Sequence, residues 1–246
     1  MTKKAFWGRL TPPDYQQQMQ DWFNRGALEN PETTPLHRLS WWSYLSSRQW
    51  QQFVGAILSH VRPRLKDGDA VFESGCGVGA LLEEVRRLNP TVSLAGVDLS
   101  ENAVTVARKV LDGDFAVGDG RKLRGRRANS YDLVISNCVV GYVDTLEDAD
   151  QFVQEMVRVA KPGAPVCVAT LIEPKGKFHG SIRLPIPKRW WRENAERWGV
   201  DHMVIKTIGK WKHCRHQRDR YAVYMRKKLA PGGLRKAGRV RGRRPA

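Results

Sequence analysis

The sequence predicts an α/β fold with a mostly parallel, doubly wound sheet of about seven strands, the last one antiparallel, and helices on both faces. Three observations predict it. From residue 70 to residue 171, short apolar runs alternate with segments whose apolar residues recur at helical spacing; such alternation builds parallel sheets covered on both sides. The first run meets a glycine-rich turn, Gly75-Cys76-Gly77-Val78-Gly79, at the start of a helix. Acidic and amide residues then stand at the ends of the following strands, the edge where open α/β sheets keep their ligand sites.

Each element has its own justification. Residues 14–24 put Tyr15, Met19, Trp22 and Phe23 at i, i+4, i+7 and i+8, the pattern of a short helix. Residues 25–46, with Asn30-Pro31, Thr34-Pro35 and Trp41-Trp42, read as an ordered loop or a broken helix. Residues 47–61 gather Trp50, Phe53, Val54, Ile57, Leu58 and Val61 on one face, an amphipathic helix that Pro63 and Lys66-Asp67-Gly68-Asp69 end. Residues 70–74 are a strand and 78–88 a helix. Residues 93–97 are the second strand, and Ser100 caps a helix over 101–111. Residues 115–117 are a short third strand and 131–136 a strongly apolar fourth. Thr145 caps a helix over 146–160, which Lys161-Pro162-Gly163 stops before a fifth strand at 165–171. Pro187 starts a helix to about Trp198, ended by Gly199; residues 203–208 and 221–225 read as two further strands.

The predicted organisation is an N-terminal helical extension over 1–68 covering the active site, a domain over 69–229, and a disordered basic tail over 230–246, where apolar content is too low to pack. Hydrophobic residues make up 41% of the chain, enough for a core, and no apolar run approaches the roughly 20 residues of a membrane span. The N-terminus lacks the apolar region of a secretory signal. Cys76, Cys138, Cys167 and Cys214 are far apart and form no C-x-x-C pair, so they read as reduced thiols in an intracellular protein. The cytoplasm is the expected compartment, with organelle and nucleus left open.

Net charge is +17, unevenly spread: residues 1–68 carry 9 Lys/Arg against 5 Asp/Glu, residues 69–172 carry 11 against 15, and residues 173–246 carry 22 against 5. The excess in the last third points to a polyanionic partner, RNA before anionic lipid, set against a merely solvated basic face. Arg121, Lys122, Arg124, Arg126 and Arg127 form a second basic cluster. They lie between a strand that ends on the ligand side and one that starts on the opposite edge. Arg126 and Arg127 are therefore expected far from the ligand, positioning a large partner.

The glycine turn satisfies two patterns. Gly75, Gly77 and Ala80 fit the dinucleotide fingerprint, while Glu73, Gly75, Gly77 and Gly79 fit E-x-G-x-G-x-G, the pattern of S-adenosylmethionine binders. Electrostatics favours the second, because a carboxylate at Glu73 opposes a pyrophosphate but suits a ligand carrying a sulfonium and an amino group. Asp98 ends the second strand, where an acid can accept both hydroxyls of a ribose. Asp119 follows the third strand in Gly118-Asp119-Gly120, and Asn137-Cys138 end the fourth. Any one of these acids has a bland reading as a turn or cap residue; their succession at strand ends does not.

On these residues the span 70–172 resembles the class I S-adenosylmethionine-dependent methyltransferases, in particular the broad small-molecule type. The carrying motifs are Val71-Phe72-Glu73-Ser74-Gly75-Cys76-Gly77-Val78-Gly79, Gly96-Val97-Asp98-Leu99-Ser100, Gly118-Asp119-Gly120, the run 131–137 and Arg158-Val159-Ala160-Lys161-Pro162-Gly163. The resemblance implies a Rossmann-like fold, S-adenosylmethionine as cofactor, and methyl transfer to an acceptor. It places Glu73, Gly75, Cys76 and Gly77 at the methionine moiety, with Gly79 completing the turn. Asp98 would hold the ribose, Leu99 would lie against the adenine, Asp119 and Gly120 would bracket it, and Asn137 and Cys138 would contact the methionine end through backbone. No metal is implied.

The acceptor is less legible. Asn137-Cys138-Val139-Val140 departs from the Asn/Asp-Pro-Pro-aromatic run of exocyclic base amine methyltransferases, and Cys138 lacks the preceding proline of cytosine C5 enzymes. Tyr142 and His179 are the candidate catalytic residues. Trp41-Trp42 and Trp190-Trp191 could wall an acceptor pocket or stack on bases, although the helical spacing of Trp191 and Trp198 suits core packing and Trp50 reads as core. The favoured expectation is an enzyme that methylates a small or lipid-like acceptor, slightly ahead of RNA. The alternative is an RNA-binding or ribonucleoprotein assembly factor that keeps this fold with weak or no catalysis. A nicotinamide-dependent oxidoreductase is a third reading, which Glu73 and the strand-four ending oppose.

Overall fold

The computed structural model describes residues 34–40, 45–171, 184, 186–210 and 219–230. The helix expected at 14–24, the Trp41-Trp42 pair, the loop with His179, Cys214 and the tail beyond 230 lie outside these residues. Seven strands form one sheet: β1 Ala70–Ser74, β2 Ser93–Asp98, β3 Asp114–Val117, β4 Leu133–Asn137, β5 Pro165–Leu171, β6 Val200–Lys210 and β7 Asp219–Lys227. The order is β3-β2-β1-β4-β5-β7-β6. All pairings from β3 to β5 are parallel, and β7 is antiparallel to both β5 and β6, so β7 alone runs against the rest.

Helices cover both faces. On one, α1 (Ser47–Leu58), α2 (Ala80–Leu88) and α3 (Glu101–Val110) bury Trp50, Phe53, Leu81, Val85, Val104 and Ala107 against Val71, Leu94 and Ile135 of the sheet. On the other, α4 (Leu146–Val159) and α5 (Lys188–Asn194) bury Phe152, Met156, Trp190 and Trp191 against Phe72, Val134 and Val168. Adjacent strand residues feed opposite layers, as Val71 and Phe72 do, because side chains alternate across a pleated strand. The chain reverses its winding between β1 and β4, so a crevice opens there at the carboxyl ends of the strands.

Local chemistry fixes the helix ends. Ser46 and Gln49 form a reciprocal capping box at α1. Ser100 accepts from the Ala103 amide at 3.1 Å and Thr145 from the Asp148 amide at 3.0 Å, as the sequence predicts. The carboxyl end of α1 is held by the Tyr224 hydroxyl, which donates to the Ile57 carbonyl at 2.9 Å. Helix α5 is shorter than expected, ending at Asn194, although a turn continues to Trp198, whose amide still reaches the Asn194 carbonyl at 3.2 Å. Strands β6 and β7 are longer than expected, because each runs on through polar and charged residues at its ends.

Two expectations need correction. Trp190 and Trp191 do not line the cavity at the carboxyl ends of the strands; they pack with Trp198 in a ring cluster with centroid separations of 5.1–6.0 Å, and the Trp191 indole donates to the Tyr221 hydroxyl at 2.8 Å. Arg126 does not present its charge to a partner. It pairs with Asp114, donates to the Asp114 carbonyl at 3.1 Å and lies 5.7 Å above the Phe72 ring. Lys227, counted in the basic last third, is likewise consumed internally, donating to Asn129 Oδ1, Arg158 O and Ala160 O at 2.6–3.0 Å.

Candidate active site

The crevice holds one cavity into which the predicted residues converge. Strand β1 delivers Glu73; the turn after it delivers Gly75, Cys76 and Gly77. Strand β2 delivers Asp98 with Leu99, the segment after β3 delivers Asp119 and Gly120, and β4 delivers Asn137 with Cys138; Tyr142 follows in the 3-10 turn Val140–Tyr142. Gly79 stands behind the wall, at the start of α2. His179 is outside the described residues.

The glycine turn is shaped by need. Gly75, Gly77 and Gly79 have φ of +77°, +53° and +84°, in the region that L side chains avoid. A Cβ on Gly75 would sit 2.2 Å from Val139 Cγ2, whereas one on Gly77 would meet nothing within 4 Å. Gly75 therefore lets the β4 side close against the turn, and Gly77 leaves bare backbone facing open space. The amides of Gly75 and Cys76 both donate to the Val97 carbonyl, at 2.8 and 2.9 Å, tying the turn to β2.

Charge in this cavity is unusually placed. Glu73 is buried, and its Oε2 has no hydrogen-bond partner; the same holds for Oδ1 of buried Asn137. Burial, with the Asp98 charge second, holds the Glu73 carboxyl well above the usual carboxylate range. Asp98 is raised too, by burial, against hydrogen bonds from the amides of Ser100 and Gly77 at 2.9 and 2.7 Å. Burial also raises the Cys76 thiol, with Asp98 and Glu73 adding to the effect. The pocket thus offers two orphaned acceptors and two crowded acids, a donor set that suits a ligand bringing positive charge and N–H or O–H groups.

Opposite them, Asp119 is bound by Arg121 through Nη2 to Oδ2 at 2.7 Å and Nε to both oxygens, and Arg121 Nη1 reaches Asp148 at 2.7 Å. Burial works to raise Asp119, but the hydrogen bonds from Arg121 outweigh it and hold the carboxyl below its ordinary value. Leu99 is 44% exposed at the rim, an apolar side chain left open beside the acids.

Sequence reasoning missed several lining residues. Trp50 is core, as read, and also lines the cavity, with His37 stacked on it at 5.8 Å. Leu39 and Ser40 reach the cavity from the 3-10 turn Leu36–Leu39 and the residue after it, and Phe152 from α4. No local pattern signals these, because each reaches the crevice through tertiary packing. Arg121 was visible only as one charge in a basic cluster; the Asp119-x-Arg121 spacing was its available signal.

Comparison with known proteins gives a consistent result. Residues 72–168 match a family model described as a methyltransferase domain. A relative from Saccharopolyspora spinosa, dTDP-4-amino-2,3,4,6-tetradeoxy-D-glucose N,N-dimethyltransferase, is 28% identical over 129 residues, covering 52% of this chain and 49% of its own. The chain spans about half the length of the first curated relatives it matches. Among solved structures, the [4+2]-cyclase SpnF superposes with a TM-score of 0.65 at 15% identity, covering 87% of this chain and 96% of its own. Haemonchus contortus phosphoethanolamine N-methyltransferase 2, solved with phosphomonomethylethanolamine and S-adenosylhomocysteine, gives 0.62 at 17%, covering 94% and 61%.

Proposed function

From a chain whose residues 72–168 form a class I S-adenosylmethionine-dependent methyltransferase domain, we propose that the protein transfers a methyl group from S-adenosylmethionine to a small or lipid-like acceptor. One observation carries the reading: Oε2 of the buried Glu73 carboxyl and Oδ1 of Asn137 both lack partners at the wall of the cavity that the glycine turn opens. The fold alone is insufficient, since a [4+2]-cyclase shares it.

When bound, S-adenosylmethionine supplies a methyl group on a sulfonium, an activated leaving group. The chain's own residues bind, orient and exclude water. Glu73 and Asn137 take the methionine end, Gly75, Cys76 and Gly77 give it backbone, Asp98 holds the ribose, Leu99 packs on the adenine, and Asp119 and Gly120 bracket its far edge. Proximity, alignment and dehydration are then the main sources of rate. Tyr142 and the apolar Val139 and Val143 sit beside Cys138 and shape the acceptor end. A neutral amine acceptor needs no general base there, since it attacks through its lone pair and loses its proton to water afterwards, whereas a hydroxyl needs one. A small acceptor is supported by this apolar lining and by the amino-sugar dimethyltransferase among the relatives. The expected extension over 1–68 is proposed to cover the site, a role in keeping with Leu39, Ser40 and Trp50 lining it.

Calorimetry with S-adenosylmethionine and with NADH tests the donor: heat with NADH and none with S-adenosylmethionine overturns the proposal. Radiolabelled methyl transfer into fractionated extract tests the acceptor, with label expected in small molecules or lipid. Label confined to RNA overturns the acceptor class.

A further inference from the structure

Glu73, Asp98 and Asp119 all line the cavity, and among the described residues only Asp119 is held by a cation. That cation, Arg121, is itself part of the wall. The Arg121 amide donates to Asp119 Oδ1 at 2.9 Å, Nε donates to Oδ1 and Oδ2 at 3.1 and 2.9 Å, and Nη2 donates to Oδ2 at 2.7 Å. The other arm of the fork, Nη1, donates to Asp148 Oδ1 at 2.7 Å. Asp148 is fixed in turn at the start of α4, where the Thr145 hydroxyl donates to its Oδ2 at 3.0 Å and its own amide donates to Thr145 Oγ1 at 3.0 Å. Two carboxylates from different elements therefore set the plane of the guanidinium, and the guanidinium sets the plane of Asp119.

A carboxylate has about four lone-pair positions. Three N–H groups of Arg121 fill three of them, the Nε hydrogen being shared between the two oxygens. One position remains, on a side chain that lines the cavity. Burial works to raise the Asp119 carboxyl, but the hydrogen bonds from Arg121 outweigh it and hold the group below its ordinary value. The open position thus accepts a hydrogen bond and has no proton to give. Without Arg121, burial acts against the charge of Lys122 alone, and the carboxyl takes up a proton more readily.

We infer that Arg121 is a positioning residue that makes the donor site select a 6-amino purine over a 6-oxo purine. An amino group at that edge donates to the open position of Asp119. A carbonyl oxygen there sets acceptor against acceptor and leaves both unsatisfied. This role rests on the placement of Asp119 at the adenine of S-adenosylmethionine, as proposed above.

The test is calorimetry of the full chain with S-adenosylhomocysteine and with S-inosylhomocysteine, its 6-oxo counterpart, over about pH 5–8. The ratio of the two affinities is the readout, because Glu73 and Asp98 in the cavity, Lys122 beside Asp119 and Asp148 on α4 act on both ligands alike. Wild type is expected to prefer the 6-amino ligand about tenfold or more, evenly across that range. In Arg121→Gln the preference is expected to fall to about threefold or less at the upper end. It is expected to shrink further as pH falls, because a protonated Asp119 donates to the 6-oxo group. Arg121→Lys keeps the charge without the fork, and is expected to keep the preference even with pH while lowering its size. A link that merely tied this loop to α4 would lower Tm and weaken both ligands together, leaving the ratio and its pH profile unmoved.

A ratio in Arg121→Gln within about twofold of wild type at every pH overturns the role. So does a wild type that binds the 6-oxo ligand equally well or better. Should Arg121→Gln fail to fold, Arg121→Lys decides, and an undiminished preference in it overturns the role. Binding of S-adenosylhomocysteine with an unmoved ratio overturns the role alone and leaves the donor reading standing. Binding of neither ligand to wild type overturns both.

Discussion

Replacing Glu73 with Gln tests the donor site at its most unusual group. Without ligand, the carboxylate is buried, and its Oε2 has no partner. Its folded-state pKa lies above the unfolded value, so folding takes up a proton between the two. The contribution of this group to stability is complete below about pH 4.3, the unfolded value, and is lost as pH rises through the folded value. Glu73→Gln removes that loss, so the ligand-free variant is expected to be more stable than wild type at pH 7, with the two converging near pH 4. Ligand affinity moves the other way. A hydrogen bond to a charged group is worth about 1.5–3 kcal/mol, so affinity for S-adenosylmethionine is expected to fall about ten- to a hundredfold. Because binding a cationic ligand favours ionised Glu73, wild-type affinity rises with pH, by at most about tenfold per unit for one proton. Asp98 is raised in the same direction, so the decisive quantity is the difference in slope between the two proteins. Calorimetry at several pH values, in buffers of different ionisation enthalpy, gives affinity and protons released together. A variant that binds within twofold of wild type, with an unchanged pH slope, refutes the placement of Glu73 at the cationic end of the ligand.

Gly120→Ala places a Cβ 2.3 Å from Phe152 Cε2 and 2.5 Å from Ser74 Oγ; overpacking of about 1–3 kcal/mol is expected as a drop in Tm of about 2–4 °C per kcal/mol. Cys138→Ser is expected to keep kcat within an order of magnitude in the labelling assay, whereas loss of a covalent nucleophile costs about 10⁴-fold or more. Arg126→Gln is expected to destabilise by about 1–3 kcal/mol in urea, since its side chain is 8% exposed and donates to the Gly96 and Asp114 carbonyls; Arg127→Gln, on the exposed side of the same loop, is expected to stay within about 0.5 kcal/mol.

The fold and many of the residues that line the cavity were legible for one physical reason. In a parallel sheet, each strand is buried on both faces and ends where a ligand can lie. Apolar runs therefore mark β1, β2, β4 and β5, with a shorter one at β3, and the acid or amide at the end of a run or just past it is a candidate contact. Glu73, Asp98, Asp119 and Asn137 were reached in this way, and the cavity brings all four together. What failed to show was anything decided across the chain. Arg126 and Arg127 are adjacent and alike in sequence, yet one is drawn over Phe72 by Asp114 while the other faces solvent. Lys227 looks like part of a basic tract, yet it closes three acceptors from distant segments. Charge counted along a chain therefore overstates charge available to a partner.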